Sequence, residues 1–253
     1  MTQIPELVDL LKSGAHFGHQ ISKWHPKMAE YIFTSRSSIH LINLEITQKK
    51  LAEAADFARQ LGREGKVLLF IGTKKQTQEI IKKYASECGA PYVSNKWLGG
   101  TFTNFAEISK LIRRYIDLRD RSARGLLSKY TKKEQVDFAK EIEKTEHAIG
   151  GITVLTKLPD AVYIVDIKHE KTALVESHRV RLPIIAICDT NVDPSLVDYI
   201  IPANDDAVKS VEMITAVIAG AYQEGKAEAK VQAAKPKEEV KEEVKMEAVV
   251  SSV

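Results

Sequence analysis

Two hydrophobic rhythms divide this 253-residue chain. Nearly unbroken apolar runs stand at Lys66–Ile71, Ala161–Val165 and Pro183–Cys188, and such runs mark strands buried on both faces. Pro91-Tyr92-Val93 and Tyr199–Pro202 are shorter β-prone pieces. Between them the apolar positions recur at helical spacing. Thr47–Arg63 places Leu51, Ala54, Ala55, Ala58 and Leu61 on one face; Gln76–Cys88, His169–Val180 and Ala207–Gln223 are further helices, the last capped by Asn204-Asp205-Asp206. A short helix over Pro5–Ser13 stops at Gly14. Alternating strands and helices predict an α/β fold with a doubly wound, mostly parallel sheet. Functional groups in such sheets gather beyond the strand C-termini, which here means Gly72, Thr73, Asp166, Asp189 and Asn191.

Two stretches break this alternation. Tyr31-Ile32-Phe33 and Ile39–Ile42 flank the polar turn Thr34–Ser38 and predict a small hairpin with Arg36 at its tip. From Asn104 the pattern turns helical for a long way, with Phe105, Ile108, Ile112 and Tyr115 along one face. After the turn Gly125–Ser128, Thr131-Lys132-Lys133-Glu134 opens a second helix as a capping box, and that helix ends at Gly150-Gly151. The apolar face is narrow, so an antiparallel helical hairpin inserted into the body is expected to project as a coiled-coil-like arm. Its shoulder is Lys96–Phe105, where Trp97, Phe102 and Phe105 are the anchors and Asn104 is the expected helix cap. The expected organisation is therefore a body of residues 1–103 and 151–225, an arm of 104–150, and a charged disordered tail of 226–253, where Lys, Glu, Ala and Val dominate.

Charge sharpens this division. Residues 1–150 hold 25 Lys and Arg against 17 Asp and Glu; residues 151–225 hold 6 against 11. A basic front and an acidic back suggest an anionic partner on one side. Cys88 and Cys188 are the only cysteines and are too far apart in sequence for a metal-ligand pair or a disulfide framework. The N-terminal residues lack a basic region followed by an apolar core, and no run approaches membrane-spanning length. These features predict a soluble cytoplasmic protein with no membrane contact.

Candidate chemistry lies in three places. Ala15–Met28 brings three histidines, Trp24, Lys23 and Lys27 into a loop-like stretch. Backbone hydrogen bonding is the plainest role for those histidines, phosphate contact the next, and metal ligation the third. Strand, glycine and basic helix start at Gly72-Thr73-Lys74-Lys75 make a favourable anion site. It has neither the Walker run nor the Gly-x-Gly-x-x-Gly fingerprint, so a nucleotide-binding enzyme or sensor is the weaker reading beside contact with polymer phosphate. Finally, His19, Asp189, Asp205 and Asp206 converge on a Zn or Mg ion if the N-terminal loop folds over the sheet edge. No cofactor is required.

Seven blocks, in order, carry a resemblance: Gly14–His19, Trp24–Met28, Ile39–Leu44, Phe70–Lys74, Trp97–Asn104, Leu158–Ala161 and Cys188–Pro194. Over residues 5–225 the chain resembles the bacterial form of small-subunit ribosomal protein two. That resemblance implies a flavodoxin-like body with an inserted helical hairpin and no catalysis. It implies a structural, RNA-binding role near the head–body junction of the small ribosomal subunit, next to other subunit proteins. It also implies late assembly and support for docking ribosomal protein one, with no small-molecule substrate. On the matching blocks it assigns RNA contact to Lys23, Trp24, Lys27, Lys74 and Lys75. Arg36 and Lys96 adjoin matching residues, and Arg113 and Arg114 stand for the arm. Lys74 and Lys75 are expected at an exposed helix start. The acidic segment after residue 151 is assigned to protein contact.

Overall fold

The computed structural model describes residues 3–234. After α1 (Leu7–Lys12), three short strands, β1 (Phe17–Gln20), β2 (Ile32–Arg36) and β3 (Ile39–Ile42), form an antiparallel sheet in the order β1-β3-β2. Ser37 and Ser38 hold φ of 52° and 62°, the left-handed pair that a two-residue hairpin needs. β1 falls where a loop was expected; four residues containing Gly18, His19 and Gln20 carry too little apolar alternation to read as a strand.

The main elements follow as α2 (Leu44–Arg63), β4 (Leu68–Ile71), α3 (Gln78–Glu87), β5 (Tyr92–Val93), α4 (Phe105–Ala123), α5 (Lys132–Ile149), β6 (Ala161–Ile164), α6 (Lys171–Arg179), β7 (Ile184–Cys188), β8 (Tyr199–Pro202) and α7 (Val208–Ala234). The sheet runs β5-β4-β6-β7-β8, and every pair is parallel. This is the flavodoxin-like order, in which the winding reverses at β4. Successive strand residues point to opposite faces. Leu68, Phe70, Tyr163 and Ile185 meet α2, α3 and α7; Leu69, Ile71, Val162, Ile164 and Ala186 meet α6 and the roots of α4 and α5. Each of the leucine, isoleucine, valine and phenylalanine side chains among them, fully buried, stabilises the fold by about 1.5–3 kcal/mol.

The inserted hairpin is part body and part arm. Ile108, Ile112 and Tyr115 of α4 and Ile149 of α5 are buried in the second core, whereas Leu126 and Val136 farther out are exposed. The capping box forms as read: Glu134 N–H donates to Thr131 Oγ1 at 3.4 Å and Thr131 N–H to Glu134 Oε2 at 2.9 Å. Asn104 behaves differently from expectation. Its side chain makes no cap hydrogen bond, and the backbone N–H groups just before it have an acceptor of their own, described below.

α7 is longer than the apolar pattern suggested and runs past Gln223 to Ala234. It crosses α2 at backbone contact. A Cβ on Gly225 would lie 2.0 Å from the Arg59 carbonyl oxygen, and one on Gly62 would lie 2.3 Å from that of Tyr222. Lys226 then donates to the carbonyls of Cys88 (3.0 Å) and Gly89 (3.2 Å), and Glu228 pairs with Arg63. The stretch expected as a tail thus begins inside a packed helix; residues 235–253 lie outside the described residues.

Candidate nucleic-acid interface

The C-terminal edge of the sheet is divided by charge. Beyond β4, β5 and β6 stand the exposed Lys75, Lys96, Lys168 and Lys171, none in an ion pair among the described residues. Beyond β7 and β8 stand Asp193, Asp205 and Asp206, each of which meets a lysine ammonium, and Asp189, which meets the His19 imidazole. One half of the edge therefore offers uncompensated positive charge and the other does not.

Lys74 belongs to the second half, which corrects the expectation of an exposed helix start. α3 begins only at Gln78, and the Lys74 side chain turns inward with 19% of its surface exposed. Its ammonium lies 2.5 Å from Asp166, 3.2 Å from Asp205 and 3.0 Å from Asp206. Burial works against its charge, but the carboxylates outweigh burial and raise its pKa. A cation already enclosed by three carboxylates has no charge to offer a phosphate, and a glutamate there would add a carboxylate to an acidic centre. Asp166 is held below its ordinary pKa despite burial, by Lys74 and the His169 and Lys168 N–H groups. Asp205 is pushed up to about 7 by burial and by Asp166 and Asp189. One ammonium cannot compensate every carboxylate around it, and Asp205 is among the most deeply buried of them.

His19 arrives because the N-terminal loop does fold over the edge. His19 N–H donates to Thr190 Oγ1 (2.9 Å) and His25 N–H to the Thr190 carbonyl (2.8 Å). His19 Nδ1 lies 3.0 Å from Asp189 and Nε2 3.6 Å from Asp206. The Asp189 hydrogen bond raises the imidazole pKa against the effect of burial. The cation site expected at His19, Asp189, Asp205 and Asp206 is not assembled: among the described residues no group of three or more His, Cys, Asp or Glu is disposed to hold a metal. Lys74 already supplies the positive charge between Asp205 and Asp206. At the Gly72–Lys75 turn, Thr73 N–H and Oγ1 both donate to Glu170 (2.7 and 2.5 Å), so neither is free for a phosphate.

The shoulder of the arm is organised by Glu176, a residue the sequence reading passed over. Its Oε1 accepts from Gly100 N–H (2.7 Å) and Trp97 Nε1–H (3.3 Å); its Oε2 accepts from Phe102 N–H (3.0 Å) and Thr103 N–H (3.3 Å). Burial would raise the carboxyl, but these donors hold its pKa below the ordinary value. Gly100 at φ +90° lets the turn aim its N–H inward. The available signal was a glutamate on the apolar face of a helix, beside Ala173, Leu174 and Ser177. Glu170 was missed as well and is equally buried.

The other expected contacts are all exposed, but they lie in separate places. Lys23, Trp24 and Lys27 sit on the loop above β7; Trp24 lies against His40 (5.3 Å), and Lys27 pairs with Asp193 (2.9 Å) and Ser195 (2.6 Å). The Ser195 hydroxyl and then Lys27 hold the Asp193 carboxyl far below its usual range. Arg36 ends the hairpin. Lys75 and Lys96 are on the basic half of the edge. Arg113 and Arg114 project from α4, Arg114 pairing with Glu141 of α5 at 2.8 Å.

The molecule is thus a parallel sheet with an inserted helical hairpin and a charged edge split into a basic and an acidic half. The family model described as Ribosomal protein S2 matches residues 10–225. The small ribosomal subunit protein uS2 of Fusobacterium nucleatum is 48% identical over 223 residues, covering 88% of this chain and 90% of that one. Its counterpart in Salinibacter ruber is 46% identical over 224 residues, covering 88% and 70%. The chain belongs to the ribosomal protein S2 family, structural proteins of the small ribosomal subunit rather than enzymes.

Proposed function

We propose that this chain binds small-subunit ribosomal RNA, near the head–body junction, through the basic half of its sheet edge and the exposed cations of its loop, hairpin and arm. The observation that carries this is the division of the edge. Lys75, Lys96, Lys168 and Lys171 stand free of ion pairs among the described residues, while the carboxylates beyond β7 and β8 are matched to Lys74, His19 and Lys27. Free lysines displace the counterions of phosphates, so affinity falls as salt rises. Trp24 and Arg36 add an aromatic surface and a guanidinium suited to exposed sugars, bases and phosphates. The arm spans between RNA elements, its root fixed in the second core so that Arg113 and Arg114 are presented from a rigid base.

The acidic segment after residue 151 faces protein, and ribosomal protein one docks on that side. The working compartment is the cytoplasm, on the ribosome. Replacing Lys75 and Lys96 together by Glu tests the RNA face. Filter binding to small-subunit ribosomal RNA across a salt series should show weaker binding, and the slope of log affinity against log salt should shrink by about one per lost phosphate contact. An unchanged affinity and slope would place the RNA elsewhere.

A further inference from the structure

We propose that the cavity where β4, β5 and β6 end, between Trp97 and the start of α6, receives one unstacked ribonucleotide unit of an RNA strand. This rests on the RNA-binding reading above and names the ligand of one part of that surface. The cavity measures about 410 Å³ and is lined by Thr73, Asn95, Lys96, Trp97, His169 and Glu170, among others. It lies at the carboxyl ends of the strands beside the reversal of winding, where open α/β sheets form a crevice.

The chemistry of the lining is specific. Trp97 is held before any ligand arrives, by its Nε1–H bond to Glu176 and by the edge of Phe102 at 4.9 Å. A fixed, half-buried indole is a stacking platform for a splayed base. Glu170 is buried; its Oε1 serves Thr73, and Oε2 takes part in no hydrogen bond among the described residues. An ionised carboxylate only accepts, so it suits a ribose 2′-hydroxyl and repels a phosphate. The phosphates then lie outside, where Lys96 lines the cavity and the exposed Lys171 opens α6 next to Glu170. Asn95 donates Nδ2–H to the His147 carbonyl at 2.8 Å, which keeps its amide oxygen in a defined place for a base edge. Thr73 N–H is already engaged by Glu170, whose carboxylate repels a polyphosphate. The unit is therefore held as part of a strand rather than as a free nucleotide.

The test uses the full chain carrying Trp24→Phe, so that Trp97 is the sole tryptophan. Its emission is followed during titration with a short oligoriboadenylate, with the deoxy counterpart and with adenosine 5′-monophosphate; filter retention of the oligonucleotide is measured in parallel. The ribo-oligomer should quench Trp97 about tenfold more tightly than the deoxy one, as expected for a hydrogen bond to a charged group. Adenosine monophosphate should require far higher concentrations than the oligomer. Glu170→Gln should abolish the preference for ribose. Gly99 also lines the cavity, and a Cβ there has nothing within 4 Å, so Gly99→Leu should fill the space and abolish the quenching with unchanged thermal stability. RNA retained on the filter with Trp97 unquenched would overturn the cavity while leaving the basic edge standing. RNA not retained even at low salt, by the Trp24→Phe chain and by the unsubstituted chain alike, would overturn both. Equal quenching by the two oligomers would remove the ribose assignment, and a monophosphate as tight as the oligomer would turn the site into one for free nucleotides.

Discussion

At the scale of single residues, the side chains that decide this surface are those whose charge is already matched. Lys74 and Lys75 are neighbours in sequence, yet one lies among three carboxylates and the other is exposed. Nothing local in Gly72–Gln76 distinguishes them, because the partners of Lys74 come from residues 166, 205 and 206, just beyond β6 and in the loop before α7. Asp205 makes this cluster measurable. Its folded pKa of about 7 lies above the ordinary 3.8, so between those values the folded chain holds a proton that the unfolded chain releases. Stability must then fall as pH rises from 5 to 7, with an upper limit of about 1.4 kcal/mol per pH unit from this group. His19, raised above 6.5, acts in the same direction, its contribution being lost as pH rises through its folded value. Urea melts of the wild type at pH 5, 6 and 7 should show this decline, and Asp205→Asn should flatten it. Parallel slopes in the two proteins would remove Asp205 as the source.

At the scale of elements, the strands were the most legible part of the chain. β4, β6 and β7 are fully buried, and their unbroken apolar runs say so directly. The capping box of α5 was equally plain. What could not be read was where an element finds its partners across the fold. The start of α4 looked like an Asn104 cap, but its approach is governed by Glu176 on α6, more than seventy residues later. The shoulder is thus a turn folded around a carboxylate. Glu176→Ala should leave the N–H groups of Gly100, Phe102 and Thr103 without their acceptor and lower stability by about 3 kcal/mol. Amide exchange at those three positions should accelerate while the β6 and β7 amides change only with the global loss. A drop below about 1 kcal/mol with unchanged local exchange would show that the anchors Trp97 and Phe102 hold the turn unaided.

At the scale of the whole molecule, the two faces of the sheet are covered by different stretches of the chain. One face carries the roots of the inserted hairpin and α6; the other carries α2, α3 and α7. The sequence pattern ended the last helix at Gln223 because alanines, lysines and glutamates beyond it show no apolar stripe, although Lys226 and Glu228 still bind the body. The contact of α7 with α2 depends on two glycines, and alanine tests it with opposed expectations. Intrinsic helix propensity would make Gly225→Ala stabilising by about 1 kcal/mol. The Arg59 carbonyl, 2.0 Å from the new methyl, should instead make it destabilising by about 2 kcal/mol, read as a lower urea midpoint. A raised midpoint would mean that the helices part without cost. The position of α7 also has a consequence for biosynthesis. It is the last of the described elements, and it covers strands that begin at residue 68. Leu68, Phe70, Tyr163 and Ile185 therefore have only α2 and α3 on that side until α7 emerges. The body closes only once α7 has emerged, so the strands it covers are among the last parts of the described fold to be shielded from water.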